Sequence, residues 1–163
     1  VWYRQLLQGL RDAGIEPMVT LYHWDLPSAL EAKGGWLNPA SAEWFETYAR
    51  LCFARFGDLV RSWCTLNEPT MQALVGYAIG MHAPGLRARP GEDPYICAHH
   101  MLIAHATAYR AYHKDFKHTY HNGFGEVGLA INTEWFFPAD PSSASQTEQC
   151  ERALDFSLGW IGE

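Results

Sequence analysis

Hydrophobic and polar positions alternate between two periods along this chain. Leu6, Leu7 and Leu10 recur at helical spacing within Trp2 to Ala13, and Gly14 follows as a residue suited to the left-handed turn after a helix. Pro17-Met18-Val19-Thr20-Leu21-Tyr22 is a short, largely apolar run that predicts a buried strand, and polar side chains resume at His23-Trp24-Asp25. Beyond Gly34-Gly35-Trp36, Asn38-Pro39 has the form of a cap and first helical position. Trp44, Phe45, Tyr48, Leu51, Cys52 and Phe56 then predict one face of a second helix that stops at Gly57. The alternation repeats with a strand near Val60 to Leu66, a loop rich in Gly and Pro from Gly76 to Pro94, and a helix from Asp93-Pro94 to about Phe116. A third strand, Val127 to Ile131, ends at Asn132, and Ser145-Gln146-Thr147-Glu148 has the form of a capping box that opens the last helix.

Strands alternating with helices define an α/β protein and leave two architectures, a doubly wound sheet or a (β/α)8 barrel. All three predicted strands gather polar residues at their carboxyl ends: His23-Trp24-Asp25, Asn67-Glu68 and Asn132-Thr133-Glu134. That placement suits a barrel, whose site is assembled from several strand ends. Gly123-Phe124-Gly125-Glu126-Val127-Gly128 fits G-x-G-x-x-G, but it enters a strand instead of leading from one into a helix, so it reads as a turn. With about three strands and their flanking helices, the chain supplies an incomplete portion of a TIM barrel. Residues 1–163 show no linker or internal boundary and read as one architectural unit.

Composition narrows the function classes. Of 163 residues, 48% are hydrophobic and 18% charged, with seven Trp, eight Tyr and eight Phe, which is ample for a packed core and far from the disordered regime. A formal charge of -6 provides no footprint for nucleic acid, and no basic amphipathic helix suggests a membrane surface. A neutral, polar small molecule is the expected partner. Cys52, Cys64, Cys97 and Cys150 are scattered and form no C-x-x-C pair, so they read as reduced, packed thiols. No apolar run is long enough for a membrane span, and there is no N-x-[ST] sequon or leader pattern. Because Val1 and Glu163 both fall inside helical patterns, the chain reads as a piece of a larger protein and these absences say nothing about compartment.

The most informative run is Thr65-Leu66-Asn67-Glu68-Pro69, in which an apolar strand delivers an amide and a carboxylic acid side by side at its end. His99, His100 and His105 share one helix at spacings that do not match H-E-x-x-H, so metal binding is not expected. Asp25 is expected to accept a structural hydrogen bond. Glu134 is a second carboxylate at a strand end, but it stands in no nucleophile motif.

Four linked segments resemble consecutive signatures of glycoside hydrolase family 1: Leu21-Tyr22-His23-Trp24-Asp25-Leu26-Pro27, Gly34-Gly35-Trp36-Leu37-Asn38, Thr65-Leu66-Asn67-Glu68-Pro69 and Gly80-Met81-His82-Ala83-Pro84-Gly85. Their order and spacing, with Phe56-Gly57-Asp58 between, extend the resemblance over essentially the whole chain. It implies a retaining β-glycosidase on a (β/α)8 barrel, of which these residues supply strands three to five and roughly a third of the catalytic domain.

By this resemblance Glu68 is the acid/base of double displacement. It protonates the leaving oxygen while a second carboxylate attacks, then activates water. Asn67 resembles the residue that bonds the sugar 2-hydroxyl, His23 and Trp24 resemble sugar-pocket residues, and Asn132 is carried over as a residue near the site. His100 stands where the family more often has Asn. The family's T-E-N-G nucleophile segment is not among these residues, and an isolated segment would leave open strand edges and uncovered apolar faces, so the chain alone is expected to be poorly stable and without turnover. The implied function is β-glucosidase-type hydrolysis of a small β-glycoside, with no cofactor and no metal; the alternative is a noncatalytic barrel that binds glycans or proteins. A nicotinamide-dependent enzyme would rest on the misplaced glycine pattern alone.

Overall fold

Three apolar runs become three parallel strands: β1 (Met18–Tyr22), β2 (Ser62–Asn67) and β3 (Glu126–Ala130), hydrogen-bonded in the order β1-β2-β3. The computed structural model describes residues 1–162, and their contacts divide into two compact units, Val1–Ala130 and Ile131–Glu163. Spatial order follows chain order, with helices between successive strands. This is the winding of a (β/α)8 barrel, without the order reversal of a doubly wound sheet. From Trp63 to Leu66, β2 is buried on both faces, which explains why its sequence is a continuous run and not an alternation.

The first unit also contains α1 (Trp2–Asp12), α2 (Ser28–Glu31), α3 (Ser41–Phe56), α4 (Pro69–Met71) and α5 (Asp93–Asp115). Gly14, at φ 75°, ends α1 as expected, with Ile15 N–H returning to Leu10 O at 2.9 Å. Of the three leucines that mark α1, Leu7 is buried and Leu6 is exposed. The start of α3 corrects the sequence reading. Asn38 is no helix cap; its Oδ1 accepts the Ala40 N–H at 2.9 Å in a local turn, and the helix begins at Ser41.

The buried face of α3 also differs from the expected one. Tyr48 and Leu51 are exposed, whereas Phe45, Ala49, Cys52 and Phe53 turn inward. Phe53 is fully buried, and its ring meets Trp63 of β2 and Tyr112 of α5 edge-on at centroid distances of 5.1 and 5.0 Å. Burying a phenyl side chain stabilises by about 1.5–3 kcal/mol, with about 0.5–1.5 more for such ring pairs. Small residues along α5 (Ala98, Ala104, Ala108, Ala111) keep that helix close to its neighbours. The G-x-G-x-x-G run forms the turn that enters β3, with Gly123 at φ 82°.

The second unit contains α6 (Ala144–Leu154), a π-helical turn at Asp155–Gly159 and α7 (Trp160–Gly162). The capping residue of α6 is Ser143, two residues before the expected Ser145; its hydroxyl accepts the Gln146 N–H at 3.4 Å. Gln146 reaches back, as a capping box requires, but its Oε1 takes the Asp140 N–H instead of the cap's own.

Candidate active site

The site begins with an irregularity in β2. Cys64 pairs with Gly128, but Ala130 pairs with Asn67, so β2 carries one extra residue over this stretch. An added residue in a period-two strand reverses the facing of every residue beyond it and re-aims Asn67 and Glu68. Glu68 then takes φ 45° and ψ 60°, the left-handed region that a side chain other than glycine rarely occupies. Two bonds hold it there: its N–H donates to Ala130 O at 2.8 Å, and its carbonyl accepts the Gln72 N–H at 3.0 Å. Pro69, at the first turn of α4, allows the chain to turn straight into helix. The Glu68 carboxyl is half-buried and, among the described residues, accepts no hydrogen bond.

At the end of β1 a second constrained residue answers the first. Trp24 has φ 72°, and its indole N–H donates to Asn67 O at 2.8 Å. Its ring packs edge-on against His82 at 5.4 Å and an interplanar angle of 87°, and against His23 at 5.6 Å. Asn67 Nδ2 lies 3.2 Å from His23 Nε2, so that nitrogen accepts and the imidazole proton sits on Nδ1. The structure thus brings His23, Trp24 and Asn67 into one hydrogen-bonded group beside Glu68. The Trp24 N–H is already engaged, so the indole has its ring surface to offer.

Asn132 and Glu134 are exposed in the second unit, just past β3. Asp25 is exposed and, among the described residues, accepts no hydrogen bond; it lines an apolar cavity of about 260 Å³ with Trp36, Trp44 and Tyr48. His100 donates from Nδ1 to Trp36 O at 2.8 Å, which fixes the Gly35–Leu37 turn to α5 and explains that residue. His105 meets the buried Thr65 hydroxyl at 2.8 Å, and burial lowers its pKa from the ordinary imidazole value. All four cysteines are free thiols, and burial raises those of Cys52, Cys64 and Cys97.

Sequence reasoning missed the part played by the loop over residues 76–86. Tyr77 in this segment is fully buried, and a pocket of about 250 Å³ lies between it, Trp24, Glu31, Gln72 and Pro84. Burial raises the Glu31 pKa against the opposing hydrogen bond from Tyr77. Trp24 and His82 stand 58 positions apart, and no local pattern signals that they meet.

No helix among the described residues is long and apolar enough to cross a membrane. The profile of glycosyl hydrolase family 1 matches residues 1–163. Beta-glucosidase 25 of Oryza sativa subsp. japonica is 46% identical over 171 residues, covering 98% of this chain and 33% of the relative. Klotho of Homo sapiens is 44% identical over 163 residues, covering 99% of this chain and 16% of the relative. Among solved structures, an aphid myrosinase superposes with a TM-score of 0.91 at 40% identity, over 99% of this chain and 34% of that one. The chain spans about a third of the length of the beta-glucosidases and the myrosinase that it matches, so its three strands are an arc of their (β/α)8 barrel. With the profile matched from end to end, this chain belongs to glycosyl hydrolase family 1.

Proposed function

We propose that this chain carries the acid/base half of a retaining β-glycosidase of β-glucosidase type, with Glu68 as the group that first gives and then takes a proton. One observation carries the reading. Glu68 is held at the β2 end by a left-handed backbone, with no hydrogen bond on its carboxyl among the described residues, next to the Asn67, His23 and Trp24 group. The similarity to Beta-glucosidase 25 supports the substrate class.

In the proposed reaction a carboxylate outside these residues attacks the anomeric carbon, at about 5–5.5 Å from Glu68 as retention requires. The glycosidic C–O bond breaks as Glu68 transfers its proton to the departing oxygen, so the aglycone leaves as a neutral alcohol. Glu68, now a carboxylate, then removes a proton from water. The oxygen of that water displaces the enzyme carboxylate from the anomeric carbon and restores the configuration. Asn67 has Oδ1 and a second N–H left for the sugar 2-hydroxyl, His23 has its Nδ1–H, and Trp24 offers an apolar face. Asn132 enters no step of this scheme.

The complete protein and its Glu68→Gln variant, assayed on two aryl β-glucosides, test the proposal. Loss of acid catalysis lowers kcat/KM by about 10²–10⁴-fold for a poor leaving group and far less for an activated phenol, which departs without a proton, while kcat on the activated phenol also falls because the second step loses its base. Equal loss of kcat/KM on both substrates, or none, would show that Glu68 does not protonate the leaving oxygen.

A further inference from the structure

We infer that His82 is a positioning residue for sugar binding: its imidazole fixes the angle at which the Trp24 indole presents its face. The inference rests on the reading that Trp24 lines the sugar site, and it adds a residue that neither the strand ends nor the motif chemistry points to.

The indole needs such support. Its backbone occupies a strained region, and a residue held there persists only where its surroundings over-determine it. The bond from Nε1 to Asn67 O anchors one edge of the ring but leaves the ring able to swing about that anchor. The His82 ring stands almost perpendicular to the indole, at 87° and 5.4 Å, in the edge-to-face arrangement that aromatic quadrupoles favour. A flat apolar platform binds a sugar ring only when its tilt is right, so this contact acts on affinity through Trp24.

The loop that carries His82 is built to hold it. The chain leaves Glu68, forms α4 and the π-helical turn Gln72–Gly76, and loops back over residues 76–86. The His82 N–H donates to Val75 O at 3.2 Å, and its carbonyl accepts the Gly85 N–H at 2.7 Å. Leu86 N–H closes the loop onto Gly76 O at 2.9 Å. From beneath, the fully buried Gln72 donates its amide to Ala83 O at 3.0 Å, next to His82. The His82 side chain is itself exposed, so this scaffold fixes its backbone without committing its ring to the core. The same segment that continues from Glu68 thereby returns to brace the indole contributed by β1.

A double-mutant cycle in the complete protein tests this: parent, His82→Ala, Trp24→Ala and the pair, with kcat and KM measured on an activated aryl β-glucoside. An aromatic pair contact corresponds to about a three- to tenfold change. His82→Ala is expected to raise KM by that factor with kcat nearly unchanged, to be silent in the Trp24→Ala background, and to be reversed by His82→Phe, which restores a ring edge. The same loss in both backgrounds, or no loss in the parent, overturns the role of His82 while leaving the glycosidase reading intact. A harmless Trp24→Ala variant overturns the placement of Trp24 in the sugar site and this inference with it; Glu68→Gln then reports on the chemistry separately.

Discussion

Thr65→Val removes one hydroxyl from the strand that positions Asn67 and Glu68. Thr65 has no exposed surface, and its Oγ1 lies 2.8 Å from His105 Nδ1 and 3.1 Å from Gly128 O. A carbonyl can only accept, so the hydroxyl donates to Gly128 and a lone pair receives His105 Nδ1–H. Valine keeps the shape and the β-branching but makes neither bond. Each bond contributes about 1 kcal/mol net, and a buried partner left alone costs about 1–3 kcal/mol. His105 is only half-buried, so water can reach part of the ring and the lower end of that cost applies. The expected destabilisation is therefore about 2–4 kcal/mol. Thr65→Ser keeps the hydroxyl and loses one methyl, at about 1 kcal/mol. Urea unfolding of the complete protein and both variants, compared at equal slope, reads the difference. A valine variant as stable as the parent, or a serine variant less stable than the valine one, would refute the assigned bonding.

The depressed pKa of His105 sets a pH dependence. Because the folded state disfavours the imidazolium, the unfolded chain binds the proton more readily; the contribution is complete above the ordinary value of about 6.5 and is lost as pH falls toward the folded one. The gap in thermal midpoint between the parent and His105→Gln should narrow from pH 7 to pH 5, and a constant gap would exclude the linkage. In the second unit, Ser143→Ala removes the cap of α6 at a cost of about 0.5–2 kcal/mol. Faster amide hydrogen exchange in the first turn of Ala144–Leu154 is the expected sign, and unchanged exchange would show that the cap contributes nothing.

Much of the architecture was legible because it is local. The three strands lie within about two residues of their expected positions, and Gly14 and Gly57 terminate α1 and α3 where the sequence placed them. The misreadings share a cause: two arrangements satisfied the same local rule. Asn38 precedes Pro39 as a cap would, but its side chain closes a turn onto Ala40 ahead of the helix; Ser143 and Ser145 both precede helical residues, and only the former bonds. The inward face of α3 was misjudged because Tyr48 and Leu51 are as apolar as Phe53, and only α5 decides which of them it covers. For the proposed site, the strand-end rule singled out Asn67 and Glu68, which the structure places at the end of β2. The β2 bulge, the Trp24 bond to Asn67 O and the approach of His82 depend on partners far away in the chain, for which periodicity has no symbol.

Left-handed backbone at Trp24 and Glu68 has a consequence for how this surface can change. An L-residue in that region costs roughly 1–2 kcal/mol, so both strand ends hold conformational energy that glycine would release. Glycine at either position would also delete a side chain that the proposed function uses. On the proposed function, durability and turnover pull against each other at these two positions: glycine would relax the backbone, and it would remove the two side chains to which that function assigns the chemistry and the sugar contact.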